Sequence, residues 1–108
     1  MAKWDTRTTQ NLWRAVLALR TAPEAKKFFR DLLTEAEILE FGRRWQAAQM
    51  LARQVPYAKI EAKTGLSSTT VARISRWLNR GQGGYRLMIK RLNRAHHRAS
   101  YSFRKGLR

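Results

Sequence analysis

Arg73 and Arg76 stand three residues apart in the segment Tyr57–Asn79, YAKIEAKTGLSSTTVARISRWLN. On a helix they share one side with Thr69 and Ala72. A guanidinium offers a planar fork of donors that fits the two acceptors on a guanine edge. Short polar and small apolar groups reach other base edges and the thymine methyl. Ser67, Ser68, Thr70, Lys59 and Lys63 extend the same candidate surface. Nine residues thus form the candidate DNA-binding set.

The elements needed to position them are legible in the same segment. A first short helix, about Tyr57 to Lys63, turns Ile60 inward. Gly65-Leu66-Ser67 forms the corner, because glycine tolerates the left-handed backbone that such a turn needs. Leu66 buries against both helices. Ser67 or Ser68 caps the second helix by accepting from a free backbone N–H. Val71, Ile74 and Leu78 recur at helical spacing as its core face, opposite Thr69, Ala72, Arg73 and Arg76. That is the layout of a helix-turn-helix, whose second helix enters the major groove. An ordinary αα-corner in a bundle shows the same spacing, so charge must decide between them.

The chain carries 23 Lys and Arg against 7 Asp and Glu, a formal net charge of +16. Every acid lies at or before Glu61, where they meet eleven bases; from Ala62 onward there are twelve bases and no acid. Such an asymmetry costs self-repulsion in the folded state. Neutralisation by a polyanion is the simplest reason to keep it.

Catalysis and cofactor chemistry find no support. His96 and His97 are adjacent, so on a helix they diverge and cannot make a paired metal site. Glu35, Glu37 and Glu40 open a helix, where they favour its dipole. Gly81-x-Gly83-Gly84 follows a helix rather than a strand and is no phosphate loop. No cysteine is present, which excludes disulfides and thiolate metal sites. No apolar run approaches the roughly 20 residues of a membrane span. The start, MAKWDTRTTQ, lacks the apolar core of a signal peptide. No enzyme, no cofactor, no metal and no membrane partner are therefore expected, and a cytoplasmic, nucleoid-associated protein is.

At 108 residues and 44% hydrophobic content, the chain suits a single helical DNA-binding domain spanning 1–108. The pattern is all-α. Leu12, Val16 and Leu19 mark a first helix over about Thr8–Arg20. Thr21 with Glu24 reads as a capping box, and Pro23 sits in the first turn of a second helix reaching about Leu33. Thr34 with Glu37 opens a third, to about Gln54, and Pro56 ends it. A last helix begins near Tyr85 with Met88, Ile89 and Leu92. Arg94–Arg108 reads as a basic tail. Trp13, Phe28, Phe29, Phe41 and Trp45 give helices one to three more apolar face than a short chain can cover. Half-sites one turn apart suit twofold readers, so a homodimer is expected.

Four segments in order carry a family likeness: FFRDLLTEAEILEFGRRWQAAQML, YAKIEAKTGLSSTTVARISRWLN, Gly83-Gly84-Tyr85 and RLMIKRLN. From about Ala25 to Leu92 the chain resembles the Trp-repressor superfamily, most closely its Trp-repressor-like branch of the YerC/YecD type. The resemblance implies about six helices and an intertwined dimer with two projecting recognition helices. It also places Arg43 and Arg73 at the positions of two arginines that clamp free tryptophan in the tryptophan-responsive repressors. Those pockets have a glycine where this chain has Ile74 and a serine where it has Trp77. Both bulky side chains should fill the space, so no small-molecule corepressor is expected. Glu61 stands where those repressors are basic, and would repel phosphate or pair with Lys59.

The reading that results is a homodimeric, sequence-specific regulator of transcription on double-stranded DNA. The alternative is a non-specific nucleic-acid-binding protein of the nucleoid or ribosome, for which charge alone suffices. A membrane-surface module would leave Tyr57–Asn79 unexplained.

Overall fold

The computed structural model describes the backbone of residues 2–106 and the side chains of residues 2–96. Among the described residues six helices follow one another: α1 (Arg7–Ala18), α2 (Ala22–Leu32), α3 (Glu35–Ala52), α4 (Tyr57–Thr64), α5 (Ser68–Arg80) and α6 (Gly84–Gly106). No strand occurs among the described residues. The all-α expectation is met, with six helices. The chain forms two compact units, Met1–Leu39 and Glu40–Arg108.

In the first unit, caps do most of the local work. Thr6 and Thr9 bond each other's backbone N–H groups at 2.8 and 3.2 Å to start α1. Thr21 caps α2 by accepting from the Glu24 N–H at 3.3 Å, with Pro23 in the first turn. The expected reciprocal bond is displaced by one residue: the Glu24 carboxylate accepts from the Arg20 N–H at 2.9 Å, not from Thr21. Thr34 and Glu37 do form both bonds of a capping box, at 2.9 and 3.1 Å. The ion pair Arg30–Glu35, 3.3 Å apart, lies in solvent and contributes little. Neither α1 nor α2 buries a residue fully. Phe28 and Phe29 are half-buried and meet edge-to-face at 5.5 Å, while Trp13, Leu17 and Leu32 stay exposed.

The second unit holds the core. Ala47, Ala48, Met50, Ile60, Leu66, Val71 and Ile74 cluster there, with Trp45, Leu51, Val55 and Tyr85 packed around them. Ala47 and Ala48 are adjacent on α3 and both fully buried in this cluster.

α3 stops at Ala52, two residues before the expected end at Gln54. The cause is a backbone stop rather than Pro56. Gln54 adopts the left-handed conformation, φ 62°. Its N–H bonds the Leu51 carbonyl at 2.9 Å, and the Val55 N–H bonds the Met50 carbonyl at 3.1 Å. This is a Schellman closure with glutamine where glycine is usual. Pro56 instead stands at the N-cap of α4. At the other end of the unit, the last helix runs into the segment read as a basic tail. α6 continues to Gly106, because the arginines and alanines after Arg94 are good helix formers even where the apolar period fades. The side chains from His97 onward lie outside the described residues.

Candidate nucleic-acid interface

The corner between α4 and α5 is built by three adjacent residues. Thr64 is buried; its hydroxyl donates to the Ile60 carbonyl at 2.7 Å and accepts from the Leu66 N–H at 3.2 Å. Gly65 closes α4 in the left-handed region, φ 75°, with its N–H on the Glu61 carbonyl at 2.9 Å. Leu66 then enters the core. Ser67 is the N-cap of α5, accepting from the Thr70 N–H at 3.1 Å. The turn of the expected helix-turn-helix is therefore where the sequence puts it, and α4 runs one residue further than expected, to Thr64.

α5 buries Val71, Ile74 and Leu78 and leaves Thr69, Ala72, Arg73 and Arg76 exposed. At 100° per residue those four fall within about 100° of arc, a continuous outward ridge. Ser68 is exposed beside them, and Lys59 and Lys63 are exposed one turn apart on α4. Two of the nine candidates are engaged internally. The hydroxyls of Ser67 and Thr70 bond each other at 3.0 Å in the cap, and Thr70 is half-buried. Glu61 is half-buried and makes no ion pair with Lys59, since Arg30–Glu35 is the one such pair among the described residues.

Of the residues that the resemblance places around a ligand clamp, Trp77 is the one arranged differently from the expectation. Arg43 and Arg73 are both exposed. Arg44 is the arginine turned inward: its guanidinium carbon lies 5.9 Å from the centre of the Phe41 ring, and its Nε is buried without a hydrogen-bond partner among the described residues. The spacing Phe41–Arg44–Trp45 at i, i+3, i+4 was the available signal for it. Ile74 fills core space as expected. Trp77 does not join it; it is 42% exposed on an open groove of about 740 Å³ shared with Trp45, Arg80, Tyr85 and Met88. Trp45 and Tyr85 stack there at 6.2 Å, with ring planes 23° apart. Burial pushes the Tyr85 phenol above the ordinary tyrosine range, and the Arg44 charge works against that rise.

Arg86 fixes the start of α6 to the end of α5. Its Nε donates to the Leu78 carbonyl at 3.1 Å and a terminal nitrogen donates to the Asn79 side-chain oxygen at 2.8 Å. Nothing in the sequence marks Arg86 for this role beyond its charge. Among the described residues no helix is long and apolar enough to cross a membrane.

A capped helix-turn-helix that presents a polar, basic ridge of its second helix defines a helix-turn-helix protein. The chain belongs to the Trp repressor protein family, whose model matches residues 7–93. That family comprises DNA-binding regulators, not enzymes. Among its relatives is YerC of Bacillus subtilis (strain 168), an uncharacterized protein 37% identical over 81 residues, which are 75% of this chain and 78% of YerC. A TrpR-like protein from Eubacterium eligens ATCC 27750 superposes with a TM-score of 0.81 at 38% identity, covering 84% of this chain and 94% of that one. A candidate Trp repressor from Staphylococcus aureus superposes with a TM-score of 0.80 at 31% identity, covering 86% and 96%.

Proposed function

We propose that this chain is a sequence-specific transcriptional regulator that binds double-stranded DNA as a homodimer in the cytoplasm, at the nucleoid, without tryptophan as corepressor. The observation that carries the reading is the division of α5. Val71, Ile74 and Leu78 anchor it to the core, while Thr69, Ala72, Arg73 and Arg76 stand outward behind a capped corner. Base edges are read by such side chains from such a helix. Ser68, Lys59 and Lys63 flank the ridge and serve phosphates; Ser67 and Thr70 serve mainly to cap it.

Dimerisation is supported by the apolar side chains left in solvent, among them Trp13, Leu17, Leu32, Leu39 and Phe41. Sedimentation at micromolar concentration should give about twice the 12.6 kDa chain mass. Against a tryptophan corepressor stands Ile74, fully enclosed where a ligand pocket needs room. DNA affinity should therefore not change with millimolar L-tryptophan.

The test is selection of duplexes from a random pool. Enrichment of a twofold-related motif, with half-sites about one helical turn apart, is the expected outcome. The second reading, a non-specific nucleic-acid binder, draws on the twelve bases and no acid from Ala62 onward. It predicts no enrichment, and equal competition by random and selected duplexes.

A further inference from the structure

The family match ends at residue 93, but α6 does not. Residues 94–106 continue the same helix, about 20 Å of added length at the α-helical rise. The whole of α6 holds seven bases and no acid. One side of its start is turned into the second unit, where Tyr85 stacks on Trp45 and Ile89 is half-buried. Lys90, Arg91 and Arg94 are exposed, and none makes an ion pair among the described residues. They fall within about 100° of arc on the side away from Tyr85 and Ile89, and the sequence repeats the four-residue spacing at Arg98. Like charges at Lys90–Arg94 and Arg94–Arg98, each four apart, weaken a helix unless something neutralises them.

We propose that this ridge of α6 is a second, sequence-independent phosphate-binding element, which lies along the duplex backbone outside the bases read by α5. The inference rests on the DNA-binding reading above. Arg86 makes the arrangement mechanical, because its bonds to Leu78 and Asn79 hold the start of α6 to the end of the recognition helix. An anionic membrane is the weaker match, because it leaves the capped α4–α5 corner and its outward ridge without a role, although Leu87, Met88 and Leu92 of α6 are exposed.

The test uses the full chain with Arg91→Gln, Arg94→Gln and Arg98→Gln combined, and the matching triple Arg→Lys variant, both checked by circular dichroism. Binding to a selected duplex is measured across salt concentration. Each lost phosphate contact lowers the log–log slope by about 0.9, so the glutamine variant should be shallower by about 2 to 3. Its ranking of base sequences should not change, and the lysine variant should keep the original slope. A glutamine variant with the wild-type slope overturns the inference and leaves the DNA-binding reading standing. So does loss of binding to anionic vesicles without change on DNA. Failure of the unaltered chain to bind any duplex overturns the reading itself, and the inference with it.

Discussion

Ile74 and Trp77 lie three residues apart on α5 and do not share a space. Ile74 is fully enclosed among Ala47, Ala48 and Met50, whereas Trp77 is 42% exposed on the groove beside Trp45 and Tyr85. Three residues advance a helix by about 300°, which leaves Trp77 about 60° short of Ile74. The core arc runs from Ile74 toward Leu78 and Val71, and Trp77 falls off its other edge. Sharing a helix face is not sharing a cavity.

The two positions should therefore respond differently to truncation. Ile74→Ala removes buried methyl groups and leaves a void, at a cost of about 2–5 kcal/mol. Trp77→Ala should cost roughly 1 kcal/mol or less in the isolated fold. Urea denaturation of both variants checks this. Equal losses would mean that Trp77 is a core residue after all.

Thr64 is the least replaceable polar group of the corner. Its hydroxyl serves the Ile60 carbonyl and the Leu66 N–H together, out of solvent. Thr64→Val keeps the shape and strands a buried N–H, which should cost about 1–3 kcal/mol. Thr64→Ser retains both bonds and should lie much closer to the parent. Denaturation midpoints of the two variants, compared directly, decide it.

Gly65, Ser67 and the Val71–Ile74–Leu78 spacing were legible, because each signals through residue type at a fixed position. Exposure of Arg73 and Arg76 followed from the same spacing. Thr64 carried no such signal, since threonine is common at helix ends and its two bonds depend on the corner that encloses it. Gln54 was hidden because glutamine does not announce a left-handed backbone. Glu24 slipped by one residue because its carboxylate reaches the Arg20 N–H as readily as that of Thr21. The inward turn of Arg44 depends on how α3 rotates against its neighbours, which periodicity fixes only to within a residue.

Gln54 is an opportunity for stabilisation. A side chain with a Cβ pays about 1–2 kcal/mol in the left-handed region, and glycine avoids that while losing some chain entropy. Gln54→Gly should raise stability by up to about 1 kcal/mol. Gln54→Val should lower it. A thermal melt in which the glycine variant is the less stable would contradict the Schellman closure.

Glu37 gives the start of α3 a pH dependence. Its carboxyl is held below the ordinary glutamate range, first by the Thr34 backbone N–H and then by the Thr34 side chain. A depressed folded-state pKa means that the contribution is present above the ordinary carboxylate range and is lost as pH falls through the lowered value. The group is fully exposed, so the effect should be small. Helicity of the parent should exceed that of Glu37→Gln near neutrality and converge with it in acid. A gap that widens on acidification would contradict the assignment.

The outward ridge of α5 makes the sharpest prediction, because reading and positioning leave different marks. If the Arg73 or Arg76 guanidinium reads a guanine edge, its replacement by alanine should cost about 1–3 kcal/mol on the selected duplex and relax preference at one base position. The exposed Lys59 and Lys63 on α4 have no fork with which to read a base pair. Lys59→Ala or Lys63→Ala should weaken all duplexes alike and reduce the salt slope by about 1. The four variants need to be measured against both selected and random duplexes, because affinity for one sequence cannot separate the two effects. Uniform weakening in an arginine variant would reassign that arginine to the phosphates. Unchanged binding in both arginine variants would mean that α5 is not the element that meets DNA.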